Sequence, residues 1–191
     1  GEGSGRVVPP RVITNLLGIQ NKVKGTVIFD RGNDINSAAE LASKADVAII
    51  FVGTSSSEGY DRASLNVDGN GDELVKAIAA RQENTIVVVS TPGAVLTPWR
   101  DQVKAILTNF MPGQEVGAAI ADVLFGDVNP SAKLTITFPQ GPNDEEFIPE
   151  EYPGTGNPPV AEYYEGLFVG YRWYDQHNFA PAFPFGHGLS Y

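Results

Sequence analysis

Two stretches of this chain are apolar almost without interruption: residues 46–52 (DVAIIFV), polar only at Asp46, and residues 85–89 (TIVVV). A strand with one wet face alternates polar and apolar side chains. Runs like these have to be covered on both faces, as the strands of parallel sheets are. Segments with helical spacing lie between and around them. In 34–44 the apolar stripe is Ile35, Ala38, Ala39, Leu41 and Ala42, with Asp34 or Asn33 placed to cap it. In 72–81 it is Leu74, Val75, Ile78 and Ala79, and in 114–125 it is Val116, Ala119, Ile120, Val123 and Leu124. Residues 104–110 (KAILTNF) read as a further strand, and 26–29 (TVIF) form a short apolar run. Residues 134–138 alternate, as a strand nearer an edge does. The expectation is an α/β fold, a mostly parallel sheet covered by helices.

The pattern changes after Phe138. Residues 139–161 mix Gly and Pro with the acidic run Asp144-Glu145-Glu146, which excludes regular helix or strand and predicts a surface excursion. Residues 162–191 are rich in rings, among them Tyr163, Tyr164, Phe168, Tyr171, Trp173, Tyr174, Phe179, Phe183 and Phe185. So many rings in an irregular tail are expected to pack on the sheet's helices or on a neighbouring domain. Residues 1–138 then make the α/β unit itself.

Charge and composition exclude several classes of function. Asp and Glu number 23 against 13 Lys and Arg, a formal charge of −10, which argues against binding a phosphate backbone through cationic contacts. A chain that is 42% hydrophobic and 19% charged is too apolar for an acidic disordered segment. No apolar run approaches the roughly 20 residues that cross a bilayer, so no membrane partner is expected. With no cysteine there is no thiol nucleophile, no thiolate-held zinc and no disulfide framework. His177 and His187 are not at metal-ligand spacing, and neither a metal nor another cofactor is expected. The chain opens on Gly1 rather than Met with no leader pattern behind it, and the expectation is that a preceding piece was cut or trimmed.

In an open α/β sheet ligands sit beyond the carboxyl ends of the strands. The loop after the 46–52 run, GTSSSEGYDRASLNVDGNG, is far longer than the usual 2–6 or so residues of a strand-to-helix connection. It carries Glu58, Tyr60, Asp61 and Arg62 among glycines and small hydroxyl residues. Glu58 is the candidate acid or base, provided that its surroundings raise its pKa toward neutrality. The alternative is a solvated loop whose charges serve solubility. Asp61 and Arg62 suggest an ion pair that clamps the loop. Asp68, Asp72 and Glu73 read as ordinary acids at a helix start. The opening GEGSGR fails as a phosphate cradle, because VVPP follows where a helix would have to begin. His187, within FGHG, reads as a packed corner residue, and there is no Gly-x-Ser-x-Gly motif.

The runs DVAIIFVGTSSSEGYDRASL, TPGAVLTPW, MPGQEVGAAIADVLFGDVNPSAKLTITFP and GLFVGYRWYD…FPFGHGLSY resemble the second domain of glycoside hydrolase family 3, in order and over nearly the whole chain. The resemblance implies an α/β sandwich with flavodoxin-like layering that reaches a loop over a pocket on a preceding TIM-barrel-like domain. That barrel, the partner of this domain, would hold the nucleophile Asp. Here Glu58, in EGYDR, takes the general acid/base role, and Tyr60 and Ser4 match positions that line the sugar pocket. Asp61 and Arg62 hold the loop. The implied substrate is a β-glucoside or oligosaccharide and the implied location is extracytoplasmic. The family's first sandwich strand would precede Gly1, so the 191 residues by themselves are expected to hydrolyse nothing. A non-catalytic carbohydrate-binding or interaction module on the same fold is the second reading, and a nucleotide-binding module is a third with little support.

Overall fold

The computed structural model describes residues 3–191; Gly1 and Glu2, the start of the Gly-rich opening, lie outside the described residues. Its centre is a three-stranded parallel sheet: β1 (Ala48–Gly53), β2 (Thr85–Ser90) and β3 (Ala105–Asn109), in the order β1-β2-β3. Gly53 of β1 stands opposite Ser90, and Ser90 opposite Asn109, so the carboxyl ends of the three strands are level. β2 is the central strand, and Val87, Val88 and Val89 are buried on both its faces, as the uninterrupted run requires. The 46–52 run is not covered on both faces as expected: β1 is an edge strand, and Val47 and Phe51 are 47% and 37% exposed, Phe51 opening onto a groove beside it.

Helices α1 (Asn15–Lys22), α2 (Ile35–Ala42), α3 (Gly71–Ala79), α4 (Val116–Leu124) and α5 (Tyr171–His177) complete the described secondary structure, with a single 3-10 turn at Arg100–Gln102. None of them is long and apolar enough to cross a membrane. α2 packs on α3, and α1 on α4. Asp34 caps α2 as its sequence position predicts, Oδ1 accepting from the Ser37 amide at 3.0 Å. Ala38 and Ala39 of α2 and Val75 and Ile78 of α3 join Ala48, Ile50, Val87 and Val89 in one core, which Trp99 and Phe138 close. The molecule is an α/β fold, a parallel sheet with helices packed on it.

Three further features differ from the expectations. Residues 26–29, the short apolar run, form no strand and line a groove together with β1 residues, Phe29 being 59% exposed. This groove is apolar, about 1140 Å³ in volume, and lined in part by Ile19, Ile28, Leu41, Phe51, Leu74 and Leu124. Residues 134–138 also stay outside the sheet. Their alternation is used instead against the tail: Phe138 and Phe183 exchange backbone bonds of 2.8 and 3.2 Å, and the Leu134 amide donates to the His187 carbonyl at 2.8 Å. The third difference is α1, whose eight residues carry no clear apolar stripe. It is held by approach of backbones, since a Cβ on its Gly18 would stand 2.0 Å from the Gly117 carbonyl oxygen of α4.

The ring-rich tail divides. Tyr174 is buried, and Phe183 packs edge-on against Phe138 with centroids 6.3 Å apart. Tyr163, Tyr164, Leu167 and Tyr191 stay largely exposed. His177 stacks on Trp173 at 4.2 Å, and His187 tilts against Phe183 at 5.4 Å, both within ring clusters.

Candidate active site

The loop at residues 54–70 leaves the carboxyl end of β1 and returns into α3. Its root is fastened by a carboxylate. Asp68 Oδ1 accepts from Thr54 Oγ1 at 2.8 Å, and Oδ2 accepts from the Ser55 amide and hydroxyl at 2.9 and 3.0 Å. The Asp68 amide in turn donates to the Gly53 carbonyl at 2.8 Å. These donors, Thr54 first, hold the Asp68 carboxyl below its ordinary value. Asp68 is thus a loop clamp and not the helix-start acid expected from its position; Asn70 occupies the N-cap of α3. Asp72, in the first turn of α3, accepts from Trp99 Nε1 at 2.7 Å and anchors the start of the helix to the core.

The tip is a tight turn. The Tyr60 amide donates to the Ser57 carbonyl at 3.3 Å, and Gly59 has φ +84°, so residues 57–60 turn with a glycine where a side chain would be strained. This is why Glu58 is followed by Gly. The turn lifts Glu58 and Tyr60 into solvent, Tyr60 being 80% exposed.

Asp61 and Arg62 do not pair with each other. Asp61 Oδ2 accepts from the Tyr152 hydroxyl at 2.7 Å, a contact across 91 residues, and Arg62 donates from Nη2 to the Ala94 carbonyl at 2.9 Å. The expected ion pair is replaced by two separate fastenings, because the two side chains point to different segments. Farther along, the Leu96 amide donates to the Leu65 carbonyl at 2.8 Å.

Ser4 lies beside Glu58. Its backbone amide donates to Glu58 Oε2 at 2.8 Å, from a turn closed by the Arg6 amide on the Gly3 carbonyl at 3.1 Å. That amide first, and the Ser4 hydroxyl after it, hold the Glu58 carboxyl below its usual range. The raised pKa that an acid catalyst needs is therefore absent here: Glu58 rests as a carboxylate. The structure brings Ser4, Glu58 and Tyr60 to one edge of the sheet, with Asp61 and Arg62 behind them.

This architecture has close counterparts. The family model described as the glycosyl hydrolase family 3 C-terminal domain matches residues 1–191. The chain belongs to that family. Among curated relatives of this family 3 domain, the "Thermostable beta-glucosidase B" of Acetivibrio thermocellus is 40% identical over all of the chain and 27% of its own length. The "Beta-glucosidase" of Rhizobium radiobacter is 42% identical over 82% of the chain and 20% of its own length. Among solved structures, a family 3 β-glucosidase from Neurospora crassa superposes with a TM-score of 0.88 at 35% identity, covering 99% of this chain and 24% of that one. DesR, a β-glucosidase from Streptomyces venezuelae solved in complex with D-glucose, gives 0.79 at 45% identity, over 82% of this chain and 20% of that one. The domain thus spans about a fifth to a quarter of the length of the curated relatives it matches.

Two members of the site carry no local signal in the sequence. Tyr152 sits in the Gly- and Pro-rich excursion, where nothing marks it as the partner of Asp61. Gly3 reads in the sequence only as one glycine of an opening that fails as a phosphate cradle, and its contact with Glu58, 55 residues on, leaves no local mark.

Proposed function

We propose that this domain supplies the general acid/base, Glu58, of a retaining, exo-acting β-glucosidase that releases terminal β-D-glucosyl residues, its nucleophile aspartate lying on a TIM-barrel-like domain outside these 191 residues. The observation that carries the reading is the placement of Glu58. It is an exposed carboxylate on a glycine-enabled turn at the carboxyl edge of a parallel sheet, in a family 3 chain at least 40% identical to β-glucosidases. Tyr60 and Ser4 border the sugar.

The chemistry has two halves. The aspartate attacks the anomeric carbon as the protonated Glu58 gives its proton to the departing glycosidic oxygen, leaving a glycosyl ester. Glu58, now a carboxylate, takes a proton from water, and the hydroxide so generated attacks the same carbon and frees the aspartate. The Ser4 contact favours the carboxylate that the second half needs. The first half needs the acid, and a second carboxylate about 5–5.5 Å away raises the Glu58 pKa again by like-charge repulsion. The exposed rings of the tail, Tyr163, Tyr164 and Leu167 beside them, suit the covering by a neighbouring domain that this division of labour demands. On the same reading residues 1–191 alone hydrolyse no glucoside, and the enzyme works outside the cytoplasm, the latter on family resemblance alone.

The test is Glu58→Gln in the full-length enzyme. Hydrolysis of alkyl glucosides, whose leaving oxygen depends on protonation, should fall by 100-fold or more, on the order of a general acid's contribution. Formation of the glycosyl ester from a dinitrophenyl glucoside should change little. Equal losses on both would make Glu58 structural, and a full-length protein with no glucoside turnover at all would favour a binding module.

A further inference from the structure

We infer that the turn at residues 3–6 is a positioning clasp for Glu58, with Gly3 and the Ser4 amide fixing the orientation of its carboxylate for proton transfer. This rests on the acid/base reading of Glu58. Gly3 is required there on two independent grounds. Its φ is +88°, and a Cβ added to it would stand 2.5 Å from the Glu58 Cβ and 2.9 Å from Oε2. No side chain fits in that space, so the turn can lie against Glu58 only because residue 3 has none. The approach brings the Ser4 amide to 2.8 Å from Oε2, a charge-assisted bond reaching across 54 residues.

The amide's hydrogen bond falls on Oε2, and the Ser4 hydroxyl adds to it, so one short turn supplies both protein contacts that hold the carboxylate among the described residues. A glutamate on an exposed turn has several rotamers to choose from, and ordering them costs entropy. A reacting group has to be held within about 0.5 Å of its working position. The clasp selects the orientation in advance. Gly5, two residues on in the same turn, has nothing within 4 Å of where its Cβ would be. The constraint therefore belongs to residue 3 and not to the glycine-rich stretch as a whole.

The experiment compares Gly3→Ala, Gly5→Ala, Glu58→Gln and the Gly3→Ala/Glu58→Gln double variant in the full-length enzyme, on an alkyl and a dinitrophenyl glucoside. Gly3→Ala should cost 10-fold or more on the alkyl glucoside and less than 3-fold in ester formation from the dinitrophenyl one, while Gly5→Ala changes neither. Added to Glu58→Gln, Gly3→Ala should cost nothing further, because both remove the same proton transfer. Among the described residues Ser4 is what lowers Glu58, and no charged side chain contributes. Loss of the clasp should thus move the basic limb of the kcat/KM profile to higher pH. If Gly3→Ala does not fold, Ser4→Pro, which deletes the donor N–H, carries the same expectations. Losses that are equal on both substrates, additive with Glu58→Gln or reproduced by Gly5→Ala overturn the clasp. If Glu58→Gln itself shows no dependence on the leaving group, it is the acid/base reading that fails instead.

Discussion

The root and the tip of the 54–70 loop hold their carboxylates in different ways. At the root, Asp68 spends both oxygens on three donors from Thr54 and Ser55, its neighbour Val67 is 4% exposed, and the segment is sewn to residues 94 and 96. At the tip, Glu58 is held by Ser4 alone among the described residues, and Asp61 by the Tyr152 hydroxyl, each from a remote part of the chain. Acidity does not distinguish the two, since both Asp68 and Glu58 are held below their ordinary values; what differs is where their donors come from. A carboxylate whose lone pairs are used up by local donors fastens the chain. On the proposed reading, the one held from a distance on an exposed turn is the one kept for proton transfer.

The comparison breaks most easily at the floor under the root. Trp99 is fully buried and bonded to Asp72, and Trp99→Ala should cost about 3–5 kcal/mol, lowering the melting temperature by roughly 10 °C. A drop of only a degree or two would mean that the loop is not built on this core. Asp68→Ala comes next, at about 1–2 kcal/mol for an exposed carboxylate losing three bonds, a fall of roughly 3–6 °C in the same thermal melt. Acid should reproduce part of that loss. The Asp68 pKa is depressed in the folded chain, so its stabilisation is complete above the ordinary value of 3.8 and is lost as pH falls through the lower folded value. Denaturant midpoints followed downward from pH 5 should decline less steeply in Asp68→Asn than in the parent. The smallest effect is expected at the tip, where Tyr152→Phe should leave the melting temperature unchanged while amide exchange at residues 58–61 quickens several-fold. If it instead destabilises as much as Asp68→Ala, root and tip are one unit.

How much of this was legible in the sequence follows the range of the interactions. β2 could be read directly, because burial on both faces leaves no polar position in the run, and Asp34 marked the start of α2 through a bond to a residue three positions away. Glu58 was locatable because an overlong loop follows an apolar run that reads as a strand. α1 was not, since its hold on α4 is a meeting of Gly18 with the Gly117 backbone and leaves no apolar stripe. The alternation at 134–138 was real, but a period of two does not say which segment a strand faces, and here it is the tail. The expected Asp61–Arg62 pair failed for the same reason: adjacent opposite charges are visible in a sequence, whereas a tyrosine hydroxyl 91 residues away is not.

The free edge of β1 bears on how the chain behaves in a concentrated solution. The outer side of its six residues, away from β2, faces an apolar groove and pairs with no strand among the described residues, and they lack the lysines, prolines or bulge that usually discourage pairing between molecules. A strand from a neighbouring molecule finds both hydrogen bonds and apolar cover there. Residues 1–191 handled without anything seated on that edge should therefore associate as concentration rises, through sheet-to-sheet growth that begins at Ala48–Gly53 and leaves the loop carrying Glu58 untouched.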